Sequence, residues 1–305
     1  MKKILVPVDF SNASKNALTY AIKFSEDLNA SINMFHVYRH FVDASAPVLT
    51  VPMNDWVGKS AEQFMTTFLS EVRDELDTDH PDVHIDIEAV MGLATDEVAE
   101  KTKCGECDLV MMGKTGKTSL ADKLFGSVTT TTIERTYCPV IAIPENAKYK
   151  GINRILFATD LFSIDNKILK QVLDFALKFK ARVYFVHVTD TPGTDMHVEE
   201  ELFERIFEIY AVPPVPFEIR MVTGPSVEKA LNKFVETNDI DLMMMVTQHR
   251  SPWERLFLKS YTREMAMHMT VPLLVLHTGD DVDFSIKKNL KQSKTTAYEK
   301  NTGAH

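Results

Sequence analysis

The sequence predicts an α/β fold of two tandem domains, each a doubly wound parallel sheet with helices on both faces. Three observations carry this prediction. Short apolar runs rich in Val, Ile and Met, such as Cys107-Asp-Leu-Val-Met-Met112, alternate with longer amphipathic stretches such as Asn12 to Leu28 and Val227 to Thr237. That alternation marks βαβ units, and near-continuous apolar runs belong to strands buried on both faces. The second half of the chain repeats the first at a spacing near 150 residues, which is a domain duplication and not a solenoid. Finally, 305 residues suit two domains, and 45% hydrophobic content is enough for two ordinary cores.

The halves correspond element by element. Lys3-Ile-Leu-Val-Pro-Val-Asp9-Phe-Ser11 is echoed by Arg154-Ile-Leu-Phe-Ala-Thr-Asp160-Leu-Phe-Ser163. Ala30-Ser-Ile-Asn-Met-Phe-His-Val37 matches Ala181-Arg-Val-Tyr-Phe-Val-His-Val188, and the turn at Met91-Gly92 matches Thr223-Gly224. Cys107 to Met112 matches Ile240 to Met245, and Cys138 to Pro144 matches Val271 to His277. The first domain is expected over residues 1–147 and the second over 151–278. Residues 280–305, with Lys287-Lys-Asn-Leu-Lys-Gln-Ser-Lys294, lack a sustained apolar face and are expected to form a flexible tail.

Composition excludes several classes. The N-terminal apolar run breaks at Asp9-Phe-Ser11, far short of a signal peptide's core, and no stretch approaches the roughly twenty apolar residues of a membrane span. With three cysteines, an odd number, and fifteen methionines, the chain suits a reducing compartment without a disulfide framework, and a cytoplasmic location is expected. A net charge of −9 disfavours nucleic-acid binding, which needs clustered Lys and Arg.

The most informative segment runs from Met112 to Pro144: a Gly113-x-x-Gly116 turn, nine intervening residues, Gly126-Ser127, and a closing hydrophobic run. Glycines let main-chain N–H groups approach an anion closely. Gly-Ser at the start of a helical stretch adds free donors and a hydroxyl at the positive end of a dipole. Gly116-Lys117-Thr118 mimics the end of a Walker loop, but that motif requires a glycine at position 111, where Met111 stands inside an apolar strand. Asp9, Val37, Gly92 and Gly113 are all expected just after strands, so the rule that ligands bind beyond the carboxyl ends of parallel strands gathers them at one crevice.

On these residues both halves resemble universal stress protein domains, and residues 1 to about 278 resemble a tandem member of that family. The resemblance implies two five-stranded sheets of the adenine nucleotide alpha hydrolase-like kind, with ATP in the N-terminal crevice. It carries adenine and ribose contacts onto Pro7, Val8, Asp9, Val37, Met112 and Gly113, and phosphate contacts onto Thr115, Gly116, Gly126, Ser127, Val128 and Thr129. It implies pairing of the two domains along their last strands, Val140 to Ile143 and Leu273 to Leu276, as an intrachain pseudo-dimer; a homodimer of chains stays open. The implied role is a nucleotide-dependent stress-response regulator or adaptor with unidentified protein partners.

The residues make chemical sense on their own. Asp9 can accept from an adenine amino group or a ribose hydroxyl, Val37 can flank a base, and Ser127 and Thr129 can donate to phosphate oxygens. Lys114, Lys117 and Lys123 either neutralise a triphosphate or make a solvated basic loop, and Mg²⁺ can accompany the phosphates. In the second half Thr247, Arg250 and Lys259 stand in place of the glycines, so no ATP binding of this kind is expected there, although Asp160 and Ser260 survive.

Two rival readings remain. A slow Mg²⁺-dependent ATPase needs an orienting base, and the first half offers only Asp9 with loop lysines and threonines. Cys104-Gly105-Glu106-Cys107 has the spacing of a zinc or redox pair, or is a helix end capped by Gly105. His36 and His187 read as packed core histidines, and Met111-Met112 and Met243 to Met245 as sheet fillers.

Overall fold

The computed structural model describes residues 3–39, 53–76, 83–114, 122–159, 164–189, 196–248 and 269–278, without the side chains of 53–57, 122–127, 196–199 and 248. The first half runs β1 (Lys3–Pro7), α1 (Asn12–Leu28), β2 (Ser31–Tyr38), α2 (Met53–Glu75), β3 (Ile85–Met91), α3 (Ala94–Lys103), β4 (Leu109–Lys114), α4 (Asp122–Arg135) and β5 (Val140–Pro144). The second runs β6 (Arg154–Ala158), α5 (Asn166–Phe179), β7 (Arg182–Val188), α6 (Met196–Ile209), β8 (Phe217–Val222), α7 (Val227–Thr237), β9 (Leu242–Gln248) and β10 (Leu273–Thr278). The amphipathic stretches Asn12 to Leu28 and Val227 to Thr237 are helices, the first capped where the Ser11 hydroxyl accepts from Ser14 N–H at 3.2 Å.

All ten strands join one sheet in the order β3-β2-β1-β4-β5-β10-β9-β6-β7-β8. Pairing is parallel inside each half and antiparallel only at the junction, where Ala142, Ile141 and Val140 face Leu273, Leu274 and Val275. Alternate residues along β5 feed opposite faces: Ile141 and Ile143 pack with α1, α2, α5 and α6, and Val140 and Ala142 with α3, α4 and α7. Both hydrophobic cores therefore run through the two halves without a break.

The halves are also sewn together beyond the sheet. On one face Phe24 of α1 meets Phe175 and Phe179 of α5 at centroid distances of 6.5 and 5.4 Å, and Tyr20 meets Tyr149 of the linker edge-on at 5.0 Å. The Tyr149 hydroxyl donates to Asp27. On the other face His277 of β10, buried, donates from Nε2 to the Ile133 carbonyl of α4 at 2.7 Å.

The end of β4 is pressed against the start of α1. A Cβ on Gly113 would lie 2.3 Å from the Ala13 carbonyl oxygen and 2.5 Å from its carbon, so this glycine is required by backbone contact within the protein. The second half solves the same place differently. Ile4 pairs with Leu109 as Ile155 pairs with Leu242, so Val246 stands where Gly113 stands, one residue before the expected Thr247. Helix α1 starts three residues after Asp9, whereas α5 starts six after Asp160, its first turn deferred to the Asp165 cap. Val246 is half-buried and packs against the core.

Two predictions follow from this packing. Gly113→Ala should destabilise the chain by about 1–3 kcal/mol, the cost of overpacking a close backbone contact, whereas Val246→Ala should act only as an ordinary truncation; equal melting temperatures for Gly113→Ala and the parent would contradict the first. Burial raises the pKa of Tyr20, and burial together with the bond to Asp27 raises that of Tyr149. Both phenols titrate later in the folded chain than in the unfolded one, so their contribution is complete below about pH 10 and lost as the pH climbs further. Melting temperature should fall above that pH, less steeply in Tyr149→Phe; an unchanged slope in that variant would refute the assignment.

Candidate functional site

The strand order of the first half reverses at β1, which leaves toward β2 through α1, while the chain returns through α3 to β4 on its other side. At such a switch point the two crossovers diverge and open a crevice past the strand's carboxyl end. Strand β1 ends at Pro7, while β2 continues to Tyr38 and β4 to Lys114. Residues of a parallel ladder bond alternately to either neighbour. Because Phe35 C=O accepts from Val8 N–H at 2.8 Å and Tyr38 C=O from Gly92 N–H at 3.1 Å, the main chain of Val37 turns toward the β1 side. Likewise Val110 N–H bonds Pro139 C=O on the β5 side, so Gly113 turns toward β1. Val37 and Gly113 thus flank the gap beyond β1 from opposite sides, inside their strands rather than after them.

Asp9 sits at the mouth of this gap, exposed. Its Oδ1 accepts from Ser11 N–H at 3.1 Å and Ser11 Oγ at 2.5 Å, which ties it to the helix cap, and its Oδ2 bonds no described residue. Phe10 follows with φ 63°, an uncommon backbone conformation for a bulky residue. Its ring lies against His36 at 4.5 Å and Phe68 at 5.4 Å.

His36 is not simply packed. Its Nδ1 donates to the Val8 carbonyl at 2.8 Å, and His187 does the same to Thr159 at 3.0 Å in the second half. Each histidine therefore anchors the chain just before the aspartate of its half. The signal was the repetition of His at matching positions; the sequence could not say which carbonyl it would reach.

The other expected contacts divide. Val8 and Met112 are buried in the two cores at 5% and 6% exposure, and both main-chain groups of Val8 are engaged, so these residues shape the crevice from behind. Pro7 is half-buried at the strand end. Thr115 and Gly116, with Lys117, lie outside the described residues. Helix α4 begins at Asp122, so Gly126-Ser127 falls in its second turn and not at its start. Leu124 and Phe125 lie in the helix ahead of the glycine, and N–H groups beyond a helix's first turn meet carbonyls one turn back. Val128 is exposed, and Thr129 is buried at 6%. Lys114 ends β4, half-buried.

In the second half Asp160, Arg250, Lys259 and Ser260 lie outside the described residues. The C-x-x-C segment is a helix end: Cys104 caps α3, Gly105 takes φ 69°, and Glu106 N–H returns to Lys101 C=O at 3.1 Å. Desolvation and the Glu100 carboxylate hold the Cys104 thiol above its usual pKa, opposite to what a reactive thiolate needs, and Cys107 is buried. Among the described residues no three His, Cys, Asp or Glu side chains gather as a metal site.

Known proteins match this architecture. The universal stress protein family matches residues 1–144 and again 151–277. A universal stress protein of Methanocaldococcus jannaschii is 29% identical over 149 residues, 48% of this chain and 84% of its own length. One from Synechocystis is 22% identical over 297 residues, 90% of this chain and 99% of its own. The crystal structure of a universal stress protein from Archaeoglobus fulgidus shares the fold with a TM-score of 0.69 at 16% identity, over 91% of this chain and 98% of that one. No helix among the described residues is long and apolar enough to cross a membrane. With the family matched separately in each half, this chain belongs to the universal stress protein family.

Proposed function

We propose that the N-terminal domain binds ATP, accompanied by Mg²⁺, in the crevice beyond β1, and that the chain works in the cytoplasm as a nucleotide-dependent stress-response regulator or adaptor. The observation that carries this reading is that Val37 and Gly113 turn toward one gap, with Asp9 at its mouth and its Oδ2 bonded to no described residue. A carboxylate oxygen and main-chain polar groups are the donor and acceptor set that reads an adenine edge and a ribose hydroxyl. The Gly113-x-x-Gly116 and Gly126-Ser127 pattern lies downstream of that gap, and Thr115, Gly116, Gly126, Ser127, Val128 and Thr129 are assigned to the phosphates with it. Magnesium bridges phosphate oxygens and takes few protein ligands, so the chain is asked mainly for amides and hydroxyls.

The C-terminal domain is assigned no ATP. Val246 places a side chain where the N-terminal crevice has Gly113, and α5 begins six residues after its aspartate where α1 begins three after its own. A regulator of this kind works by population shift, since a bound nucleotide biases conformation only by its differential affinity for two states.

Calorimetry of the full chain with ATP and Mg²⁺ should show one site per chain. Asp9→Asn should weaken it about tenfold, the loss of one charge-assisted hydrogen bond. Absence of both heat and thermal protection at millimolar nucleotide would remove the reading. Steady phosphate release abolished by Gly116→Val would replace the binder with an enzyme.

A further inference from the structure

We propose that the seam between the two halves holds a second ligand site, for a small organic anion with an apolar body. A cavity of about 360 Å³ opens there between α1, the linker after β5, and the turns that lead into β9 and β10. That is the small end of the roughly 300–1,000 Å³ range of ligand sites.

Its chemistry is one-sided. Tyr20 lies at the wall, only 4% exposed, and its hydroxyl bonds no described residue. A buried phenol ordinarily finds a partner, and burial keeps this one protonated, so it offers a hydrogen bond to whatever enters. Lys148 and Lys150 line the mouth from the linker, exposed, and among the described residues neither has a carboxylate partner. The acid in the lining, Asp241, already accepts through Oδ2 from Asn153 N–H at 2.8 Å and Arg154 N–H at 2.9 Å. Asp241 keeps its negative charge beside Tyr20, and against it stand two lysines, so among the described residues the lining carries a net positive charge. Ala147, Ile240 and Pro272 supply the apolar surface.

A carboxylate or phosphate head therefore meets the lysines and the Tyr20 hydroxyl, while an aliphatic or aromatic body displaces water from the apolar wall. Because the lining comes from both halves and their linker, such a ligand stabilises the folded tandem by mass action. The site stands apart from the nucleotide crevice and does not depend on its occupancy.

Ligand-observed NMR on the full chain, with hexanoate and hexylamine as matched probes, tests this. Hexanoate should bind and hexylamine should not, with saturating ATP and Mg²⁺ leaving the hexanoate signal in place. Tyr20→Phe, which keeps the ring, and the double variant Lys148→Ala/Lys150→Ala should each lower hexanoate affinity about fivefold or more, the effect of losing a charge-assisted hydrogen bond, with an unchanged melting temperature for the lysine pair. Equal binding of the amine, full binding to the lysine variant, displacement by ATP, or no hexanoate binding at millimolar concentration would each overturn the proposal. Failure of ATP to bind leaves the hexanoate outcome readable by itself.

Discussion

Strands β5 and β10 are apolar over Val140 to Ile143 and Leu273 to Leu276 and would each form the bare edge of a five-stranded sheet if the halves stood apart. Pairing them antiparallel covers both edges at once and removes a surface prone to association. Val140, Ile141, Leu273, Leu274 and Val275 are fully buried at that junction, and burial of one such side chain contributes about 1.5–3 kcal/mol. The continuous cores, the aromatic seam and the His277 contact to α4 all follow from this join, as does the cavity beneath the linker.

Within each half, a second constraint places the candidate site. A parallel sheet wound in both directions from β1 leaves a gap where its neighbours outrun it, and the main chain of Val37 and Gly113 turns toward that gap. The halves share this geometry and diverge in how tightly the first helix closes on the fourth strand of its half. Gly113 permits the close approach of α1; Val246 stands where α5 begins a turn later. A glycine of the G-x-x-G motif thus serves the packing of the protein itself. The crevice owes its shape to that packing before any ligand is considered.

Local signals and spatial ones separate clearly in the smaller features. Gly105 reads from sequence as a helix cap, and its left-handed backbone agrees. The histidines at 36 and 187 look like core residues by neighbourhood, yet each bonds a carbonyl 28 residues earlier in the chain, a partner that pattern alone does not name. Phe10, in the loop after β1, gives no sign in sequence of its left-handed backbone or its stacking on His36.

The sequence by itself determined the alternation of strands and helices, the duplication, the parallel winding and the family, because each of these is written in periodicity and in motifs that repeat over short windows. It placed Asp9, Val37 and Gly113 just after strands, which holds for Asp9, whereas Val37 and Gly113 lie inside β2 and β4 near their ends. Only the tertiary structure decided which main-chain groups face the gap, that Gly126-Ser127 lies within α4 and not at its start, and that Tyr20, Lys148 and Lys150 converge with Asp241 across the seam. Those facts depend on register and on contacts between residues far apart in the chain, and the free energy that selects them belongs to packed surfaces rather than to local propensity.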